Sequence, residues 1–201
     1  AGGYKAPVSA DSEEYNGTSW TAGNALGTAR YNLGGGGTQT AGLVSGGYIP
    51  GSNDSALVEE YNGTSWSEVT NVPSARYGIT LTGTQGAMLS HSESTEVLYY
   101  DGTNWTEGTN TPASINTGGN AGTQTAAFVW ANAASQTWNG TAWTTVNNMS
   151  TSRKENQAAT AGTTTSTMAS GGEKPSGSPN LALDTEEWDD PFDETVTFTS
   201  S

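Results

Sequence analysis

The sequence of 201 residues has no cysteine and only one histidine, His91. Disulfides, zinc–thiolate sites and thiol chemistry are therefore excluded for this chain. A Ser-His-Asp arrangement could use His91 with Ser90 or Ser92 beside it. His91, however, stands at the end of a predicted strand, where it replaces part of a repeated glycine pair. We therefore expect a structural histidine, no catalytic residue and no cofactor.

Basic residues are scarce as well. Six Lys and Arg stand against twenty Asp and Glu, which gives a formal net charge of -14 and a sequence pI of about 4.1. A surface for DNA or RNA needs clustered cations to neutralise phosphates, so the composition argues against a nucleic-acid partner and an anionic membrane surface. The longest apolar run, residues 126–134, is interrupted by Asn132 and is too short to cross a membrane. We expect neither nucleic-acid binding nor membrane insertion.

Large aliphatic side chains are few: Leu, Ile, Val and Phe number 24 in total. So small a number, combined with high net charge, is typical of disordered chains. Seven Trp and eight Tyr indicate the opposite, because each can bury a large apolar area and because they recur in register along the chain. We therefore predict a folded domain whose core is built from repeated aromatic residues.

Three short motifs recur in a fixed order along the chain. The first is an aromatic residue, a glycine turn and a Trp, at Tyr15–Trp20, Tyr61–Trp66, Tyr100–Trp105 and Trp138–Trp143, with a degraded copy at Trp188. The leading aromatics are 46, 39, 38 and 50 residues apart. The second motif is Gly-Thr-Gln, which begins at Gly37, Gly83 and Gly122 and becomes Gly-Thr-Thr at Gly162. The third is a glycine pair, at Gly2-Gly3, Gly46-Gly47 and Gly171-Gly172, with Ser92 and Ala131 at the aligned place in the other units.

Each unit predicts four short strands and no helix, because apolar residues nowhere recur at helical spacing. In the second unit the strands are Tyr31–Gly37, Thr40–Gly46, Ala56–Tyr61 and a fourth strand that carries Trp66. The Asn-Gly sequence before that fourth strand predicts a tight hairpin turn in which both central residues have positive φ.

Four strands in each unit of about 38 to 50 residues are typical of a β-propeller blade. We predict an all-β chain that forms one β-propeller domain, residues 1–201, of about five four-stranded blades with a truncated first blade. The units cover approximately residues 1–29, 30–75, 76–114, 115–152 and 153–201. A β-solenoid or an elongated string of hairpins is the alternative. The strands that the first unit lacks would come from upstream residues or from another chain, or that blade would keep an open edge.

The glycine pair, the Glu-Glu-Tyr strand and the following Trp resemble kelch repeats, as in propellers of the galactose-oxidase type. The whole unit, Glu-Glu-Tyr-Asn-Gly-Thr-Ser-Trp followed by Ala-Arg and Gly-Thr-Gln-Thr-Ala, is similar to repeats of structural proteins of marine bacteriophage virions. The resemblance covers nearly the whole chain and implies a propeller fold, but kelch repeats serve many functions. The copper chemistry of galactose oxidase is excluded, since it needs several imidazole ligands and a tyrosine linked to cysteine.

Carboxylates are the only plentiful reactive groups. Pairs recur ahead of the leading aromatic, at Glu13-Glu14, Glu59-Glu60 and Glu186-Glu187. Glycosidases use two carboxylates, but a pair repeated in several units is not a single site, and strand alternation turns one Glu of each pair to solvent. We expect these pairs to be structural. Asp189, Asp190 and Asp193 offer oxygen ligands for Ca²⁺, with a solvated acidic loop as the alternative.

The loops of the units differ between the two ends of the predicted sheets. The Gly-Thr-Gln and Asn-Gly-Thr turns are short and nearly constant, whereas the connections between the second and third strands vary in length and chemistry. Variable loops on a rigid scaffold are where recognition usually occurs, although unselected drift of tolerated loops is the alternative. The candidate binding residues on this variable end are Tyr4, Lys5, Asp11, Tyr48, Asn53, Asp54, Trp130, Glu173, Lys174 and Asn180. For Trp130 a core position is the alternative.

These observations favour a non-enzymatic structural protein of a virion or an extracellular surface, such as a tail fibre or a capsid decoration. Its variable loops would attach to neighbouring subunits of the assembly or to a host surface, and host glycans are possible ligands because Asn, Asp, Tyr and Trp suit sugars. The alternative from another class is a secreted module that binds or cleaves carbohydrate. A purely architectural spacer is a third possibility.

Overall fold

The structure is a computed structural model that describes residues 1–51, 53–92, 94–115, 118–132, 134–152, 162–174 and 185–189. All regular elements in this part of the chain are β-strands, and all strand pairings are antiparallel. The strands are β1 (Glu13–Tyr15), β2 (Trp20–Ala22), β3 (Gly34–Thr38), β4 (Ala41–Ser45), β5 (Tyr48–Ile49), β6 (Asn53–Asp54), β7 (Val58–Tyr61), β8 (Trp66–Glu68), β9 (Thr80–Thr84), β10 (Ala87–His91), β11 (Val97–Tyr100), β12 (Trp105–Glu107), β13 (Gly119–Thr123), β14 (Ala126–Ala131), β15 (Ala134–Trp138), β16 (Trp143–Val146), β17 (Ser166–Ser170) and β18 (Thr185–Asp189).

Three four-stranded sheets follow one another along the chain. We number them by their repeat units: the second sheet is β3-β4-β7-β8, the third is β9-β10-β11-β12 and the fourth is β13-β14-β15-β16. Two-stranded sheets β1-β2 and β17-β18 lie before and after them in sequence, and the small hairpin β5-β6 is inserted between β4 and β7. The all-β class and the four-stranded unit predicted from the repeats are thus confirmed. The predicted first and fourth strands of the fifth unit lie outside the described residues.

The strands of the second unit begin later than predicted. We expected the first strand from Tyr31, but β3 begins at Gly34, because the backbone of Tyr31 pairs with Tyr48 instead. The amide of Tyr48 donates to the carbonyl of Tyr31 at 2.7 Å, and the amide of Tyr31 donates back at 3.2 Å. This additional pairing takes Tyr31 out of the four-stranded sheet and to the base of the β5-β6 hairpin.

The prediction that both Asn and Gly have positive φ in the hairpin turn was wrong. Tyr61 pairs with Trp66, so the loop contains four residues, and of these only Gly63 has a positive φ, +87°. The side-chain oxygen of Asn62 accepts hydrogen bonds from the amides of Thr64 and Ser65, both at 2.9 Å. An Asx turn of this kind satisfies the loop amides without a left-handed Asn. Asp101 does the same in the third unit.

The repeated glycine pair marks a sharp bend at the end of the second strand of a unit. Both glycines have positive φ in all three copies. A Cβ on Gly46 would lie 2.3 Å from Cδ1 of Ile79, so the site needs glycine for space as well as for conformation. In the fourth unit Asn132 takes the second place of the pair, and its φ of +55° is in the left-handed region. Asn tolerates this conformation better than most residues.

The sheets pack against one another in chain order, with their first strands as neighbours. β9 lies between β3 and β13. The small residues of β3 make this approach possible, since a Cβ on Gly36 would come within 2.8 Å of the sulfur of Met88. The glycines of β3 therefore have a packing reason, because the neighbouring sheet leaves little room beside them.

The apolar core is divided among the interfaces between successive sheets. The second and third sheets enclose a cluster that contains Leu43, Val58, Ile79, Leu81, Met88, Leu98, Tyr100 and Trp105. The third and fourth sheets enclose Leu89, Val97, Ala127 and Trp138. The fourth sheet and the β17-β18 hairpin enclose Phe128, Trp130 and Ala169, with Trp188 at the edge. The aromatic residues of the repeat thus form much of the core between sheets, as predicted.

In the third and fourth units, the Gln of the Gly-Thr-Gln motif connects the sheet to the preceding one. The side-chain amide of Gln85 donates to the carbonyls of Gly42 and Tyr61, both at 2.9 Å. Gln124 makes the same pair of bonds to Met88 and Tyr100 at 3.0 and 2.8 Å. These carbonyls belong to residues paired across the second and third strands of the preceding unit. The motif is therefore an inter-sheet contact as well as a turn.

Within the described residues, no helix has the length and apolarity needed to cross a bilayer.

Candidate functional site: a tyrosine cluster on the variable loops

The two ends of the sheets differ in construction. At one end the Gly-Thr-Gln and Asn-Gly-Thr turns of a unit lie side by side, as shown by the closeness of Gly63 to Thr40 and of Gly102 to Gly86. At the other end are the glycine pairs, the β5-β6 hairpin and the segments that lead into each first strand. We call these the constant end and the variable end.

Three tyrosines from separate segments meet at the variable end, and we call them the tyrosine cluster: Tyr4, Tyr31 and Tyr48. The rings of Tyr4 and Tyr31 meet edge to face, with centroids 5.1 Å apart. The rings of Tyr31 and Tyr48 are tilted, with centroids 5.2 Å apart. Tyr4 is 81% exposed, whereas Tyr31 and Tyr48 are half-buried. The cluster therefore presents aromatic surface and phenol groups to solvent.

The backbone fixes the position of the cluster. Tyr31 and Tyr48 are held by their two mutual hydrogen bonds, and the amide of Gly47 donates to the carbonyl of Arg76 at 2.9 Å. The segment that carries Tyr4 is attached by the amide of Gly3, which donates to the carbonyl of Arg30 at 3.1 Å. Residues of the first, second and third units thus hold one another in place at this point.

The phenol of Tyr31 stays neutral at ordinary pH. Partial burial raises its pKa, and the neighbouring phenols of Tyr48 and Tyr4 raise it further. Uncharged phenols both donate and accept hydrogen bonds, so the cluster is suited to polar, neutral groups and to the flat faces of rings.

An exposed ion pair lies on the same loop as Tyr4. Nζ of Lys5 is 3.5 Å from a carboxylate oxygen of Asp11. The hydroxyl of Ser9 donates to that carboxylate at 2.7 Å, and this bond, followed by the charge of Lys5, lowers the pKa of Asp11. Asp11 therefore remains a carboxylate, and the loop offers one cation and one anion beside the aromatic surface.

The β5-β6 hairpin carries two further predicted residues. Tyr48 pairs with Asp54, and Ile49 pairs with Asn53. Asn53 has a positive φ of +77°, and both Asn53 and Asp54 are exposed. Of the ten candidate binding residues, Tyr4, Lys5, Asp11, Tyr48, Asn53 and Asp54 therefore belong to the loops that build the tyrosine cluster and its surroundings.

The remaining candidate binding residues lie elsewhere. Trp130 is 1% exposed and packs beside Phe128 in the core between the fourth sheet and β17-β18, so its ring is not on the surface of the variable end. Glu173 and Lys174 follow β17 and the glycine pair of the fifth unit. Asn180 lies outside the described residues.

The weak calcium candidate is only partly described. Asp189 is exposed at the end of β18, and its carboxylate accepts a hydrogen bond from the hydroxyl of Ser166 at 3.2 Å. Asp190 and Asp193 lie outside the described residues. In the described ranges, no three His, Asp or Glu side chains come together in a way that could hold a metal ion.

His91 is the last residue of β10. Its side chain is buried, with Nε2 2.7 Å from the hydroxyl of Thr80. Burial lowers its pKa to about 3, so the imidazole is neutral at physiological pH. It lies within the third sheet, where it pairs with Val97 of β11.

Tyr31 is the member of the cluster that the sequence reasoning missed, because we assigned it to the first strand of the second unit. Its Ala-Arg-Tyr context recurs at Tyr77, and an aromatic residue just before the glycine run of a strand is the signal that could have identified it.

No protein-family model matches the sequence, and the search of curated proteins found no match either.

Proposed function

We propose that the chain is a non-enzymatic display module with a β-propeller architecture, whose variable end attaches to other molecules. The propeller is supported by the succession of four-stranded antiparallel sheets with their first strands as neighbours. In β-propellers the first strands of successive blades are neighbours around a central axis. The single observation that supports the attachment proposal is the tyrosine cluster, in which rings from three separate segments contact one another at the surface.

The setting we propose is a virion or another extracellular surface assembly. Other subunits of that assembly are the first partners we expect, and a host surface is the second. Tyr is favoured at protein interfaces because it provides a large, rigid contact area with a polar tip. The strongly acidic composition favours partners that are neutral or basic at their contact surface.

A carbohydrate-binding module of a secreted protein is the second candidate. The observation in its favour is the chemistry of the tyrosine cluster, since neutral phenols and ring faces suit sugar hydroxyls and sugar rings. A glycan array tests binding, and a hydrolysis assay on any sugar that binds tests cleavage.

The attachment proposal is tested by native mass spectrometry of the intact assembly from which the chain is isolated. Integral multiples of the chain beside structural subunits would support it, and a lone monomer would overturn it. Purified Y4A/Y48A should then fail to rejoin the assembly. The matched control is T103A/T141A, which changes two exposed turn residues at the constant end and should rejoin normally. Equal behaviour of the two variants would contradict the assignment of the attachment surface.

The propeller architecture is tested by distance measurements between spin labels. The chain has no cysteine, so Cys can be introduced in pairs at equivalent, exposed turn positions of the units: Thr18, Thr64, Thr103 and Thr141. In a ring of five units, the distance from position 18 to position 141 is similar to that from 18 to 103. In an open row of sheets the 18–141 distance is clearly longer, and that result would exclude the ring.

A further inference from the structure

The strand β1 has a neighbouring strand on one side only. It pairs with β2, and no other strand of the described residues joins this sheet. The equivalent strands of the next three units, β7, β11 and β15, each pair on both sides. The second edge of β1 is therefore open, and an open edge presents backbone amides and carbonyls that can pair with another chain.

The backbone hydrogen bonds around β1 show which of its residues face the open edge. The carbonyl of Asp11 accepts from the amide of Gly2 on that side, at 2.8 Å, whereas the amide of Asn16 donates on the β2 side, at 3.2 Å. Successive residues of an antiparallel strand bond to opposite sides. The amides and carbonyls of Glu13 and Tyr15 therefore face the open edge and are available for pairing.

Gln39 lacks the contacts that its equivalents make. Gln85 and Gln124 each donate to two carbonyls of the preceding unit, one on the second strand and one at the end of the third strand. In the first unit the third-strand carbonyl is that of Tyr15, and the second-strand carbonyl has no counterpart in the described residues. The side chain of Gln39 is exposed and has no hydrogen bond within the described part of the chain. A strand beside β1 would restore the missing acceptor.

The second sheet is uncovered at the place where such a strand would lie. A cavity of about 210 Å³ lies between β1 and this sheet, and Gly35, Gly42 and Trp66 are among its lining residues. Gly35 is exposed and Gly42 is half-buried. Leu81 and Met88, which occupy their places in the third sheet, are 1% and 0% exposed because they pack in the core cluster with the second unit. The cavity is thus a gap in an interface that is filled in the next units.

In the other units, a large apolar side chain of the second strand lies in the equivalent interface. Each of these side chains is at most 3% exposed. With their partners on the third strand they are Leu43 opposite Glu60, Leu89 opposite Tyr99, and Phe128 opposite Thr137. Glu14 holds the place of those third-strand partners in the first unit. Since a cavity of about 150 Å³ holds a benzene ring, the gap beside Glu14 has room for one leucine or phenylalanine side chain.

We propose that the open edge of β1 and this cavity, together called the strand groove, bind an extended strand of a neighbouring subunit. The bound strand runs antiparallel to β1 and carries a Leu, Phe or similar residue opposite Glu14. Backbone hydrogen bonds to Glu13 and Tyr15 provide affinity, and the cavity provides specificity for the apolar side chain. The proposal rests on the proposed setting in an assembly of several subunits.

The charge of the strand groove limits the partner. Glu13 and Glu14 are the charged side chains of its described lining, and the hydroxyl of Tyr61 donates to the carboxylate of Glu14. Like charges directly opposite each other on two strands are unfavourable. A second copy that paired through its own β1 would bring two such glutamate pairs together. The bound strand therefore belongs to a different subunit and has neutral or basic residues beside its apolar one.

The test uses a fluorescent peptide with the sequence of residues 40–47, which contains Leu43 and pairs with β7 in the second unit. The peptide should bind the purified chain saturably and protect the amides of Glu13 and Tyr15 from hydrogen exchange. One control peptide has Asp in place of the Leu, and the other has Pro in place of the following Val. Each should bind about tenfold more weakly, because the first loses the apolar side chain and the second loses an amide that faces β1.

Two variants of the chain test whether the peptide lies in the strand groove. Glu13→Pro removes an amide at the open edge, where proline is tolerated, and it should weaken binding about tenfold. Gln39→Ala should weaken binding by a similar factor without loss of stability. The matched control is Thr103→Ala, which changes an exposed turn residue at the same end of the third unit and should bind normally. Y4A/Y48A should also bind normally, so failure of this proposal is distinct from failure of the tyrosine cluster.

Three results would overturn the proposal: no saturable binding at millimolar concentration, equal binding of the Pro-containing peptide, or equal binding by Glu13→Pro, Gln39→Ala and the control. The source of the strand is tested in the intact assembly, with a photo-cross-linking residue in place of Thr38, which lines the groove. A cross-link to a different subunit is the expected result. A cross-link only within the same chain, or only to a second copy of it, would show that the partner is assigned wrongly.

Discussion

The guanidinium of Arg30 lies 3.0 Å from the carboxylate of Glu59, and both side chains are almost completely buried. The second carboxylate oxygen of Glu59 accepts a hydrogen bond from the amide of Gly27 at 2.7 Å. A second guanidinium nitrogen donates to the carbonyl of Leu57 at 2.9 Å. Burial lowers the pKa of Arg30, and the charge of Glu59 opposes that effect. The pair attaches the segment before β3 to β7 and so positions Tyr31.

Removing the charge of Glu59 should destabilise the protein strongly. Glu59→Gln leaves a buried guanidinium without a counter-ion, which costs about 3–5 kcal/mol in the free energy of unfolding. Urea unfolding followed by tryptophan fluorescence measures it. The control is Lys5→Gln, which removes an exposed ion pair and should leave the unfolding midpoint unchanged. Equal midpoints for the two variants would show that Arg30 finds another partner or reaches solvent.

Two Trp residues at the same repeat position should differ greatly in their effect on stability. Trp105 is 8% exposed, packs on Tyr100 and donates to the carbonyl of Thr70, whereas Trp20 is 65% exposed. Trp105→Ala should therefore cost about 3–5 kcal/mol, and Trp20→Ala about 0.5 kcal/mol or less. Thermal and urea unfolding of both variants provide the comparison. A similar loss from both would mean that Trp20 is covered in the folded protein.

Local features of the fold could be predicted from the sequence because they depend on neighbouring residues. The glycine pairs and the Asn-Gly-Thr loops marked strand ends correctly, since their conformations are set by a few adjacent residues. The alternation expected of the Glu pairs is clear in one of them, where Glu59 is buried and Glu60 is half-exposed, whereas neither Glu13 nor Glu14 is buried.

Contacts between units could not be predicted in the same way. Nothing near Gln85 in sequence indicates that it reaches Gly42 and Tyr61, and nothing near Tyr31 indicates its pairing with Tyr48. The position of Trp130 depends on which face of β14 meets the following sheet. Such contacts follow from the packing of whole sheets, which the repeat pattern alone leaves open.

The repeated Gln contact gives a third prediction. Gln124→Ala removes both donors to the carbonyls of Met88 and Tyr100 and should cost about 1–3 kcal/mol, because partly buried carbonyls lose their partner. Gln39 holds the same place in the motif of the second unit but is exposed, so Gln39→Ala should leave stability unchanged. Calorimetric unfolding of the two variants measures the loss of stability in each. If both lose the same stability, the effect belongs to the turn and not to the contact between sheets.

The buried His91 should make the protein less stable in mild acid. Its pKa is about 3 in the folded protein against an ordinary value of 6.5, so between these pH values the unfolded chain binds a proton that the folded protein excludes. The contribution of His91 to the free energy of unfolding is therefore fully present above pH 6.5 and is lost as the pH falls towards 3. The loss is about 2 kcal/mol between pH 7 and pH 5. His91→Gln should lack this contribution, so the difference between the two proteins separates it from carboxylate titration.

The imidazole signal is simple to follow by NMR because the chain has one histidine. A shift of that signal near pH 6.5 in the folded protein would contradict the buried, neutral state, and so would an equal loss of stability in both proteins.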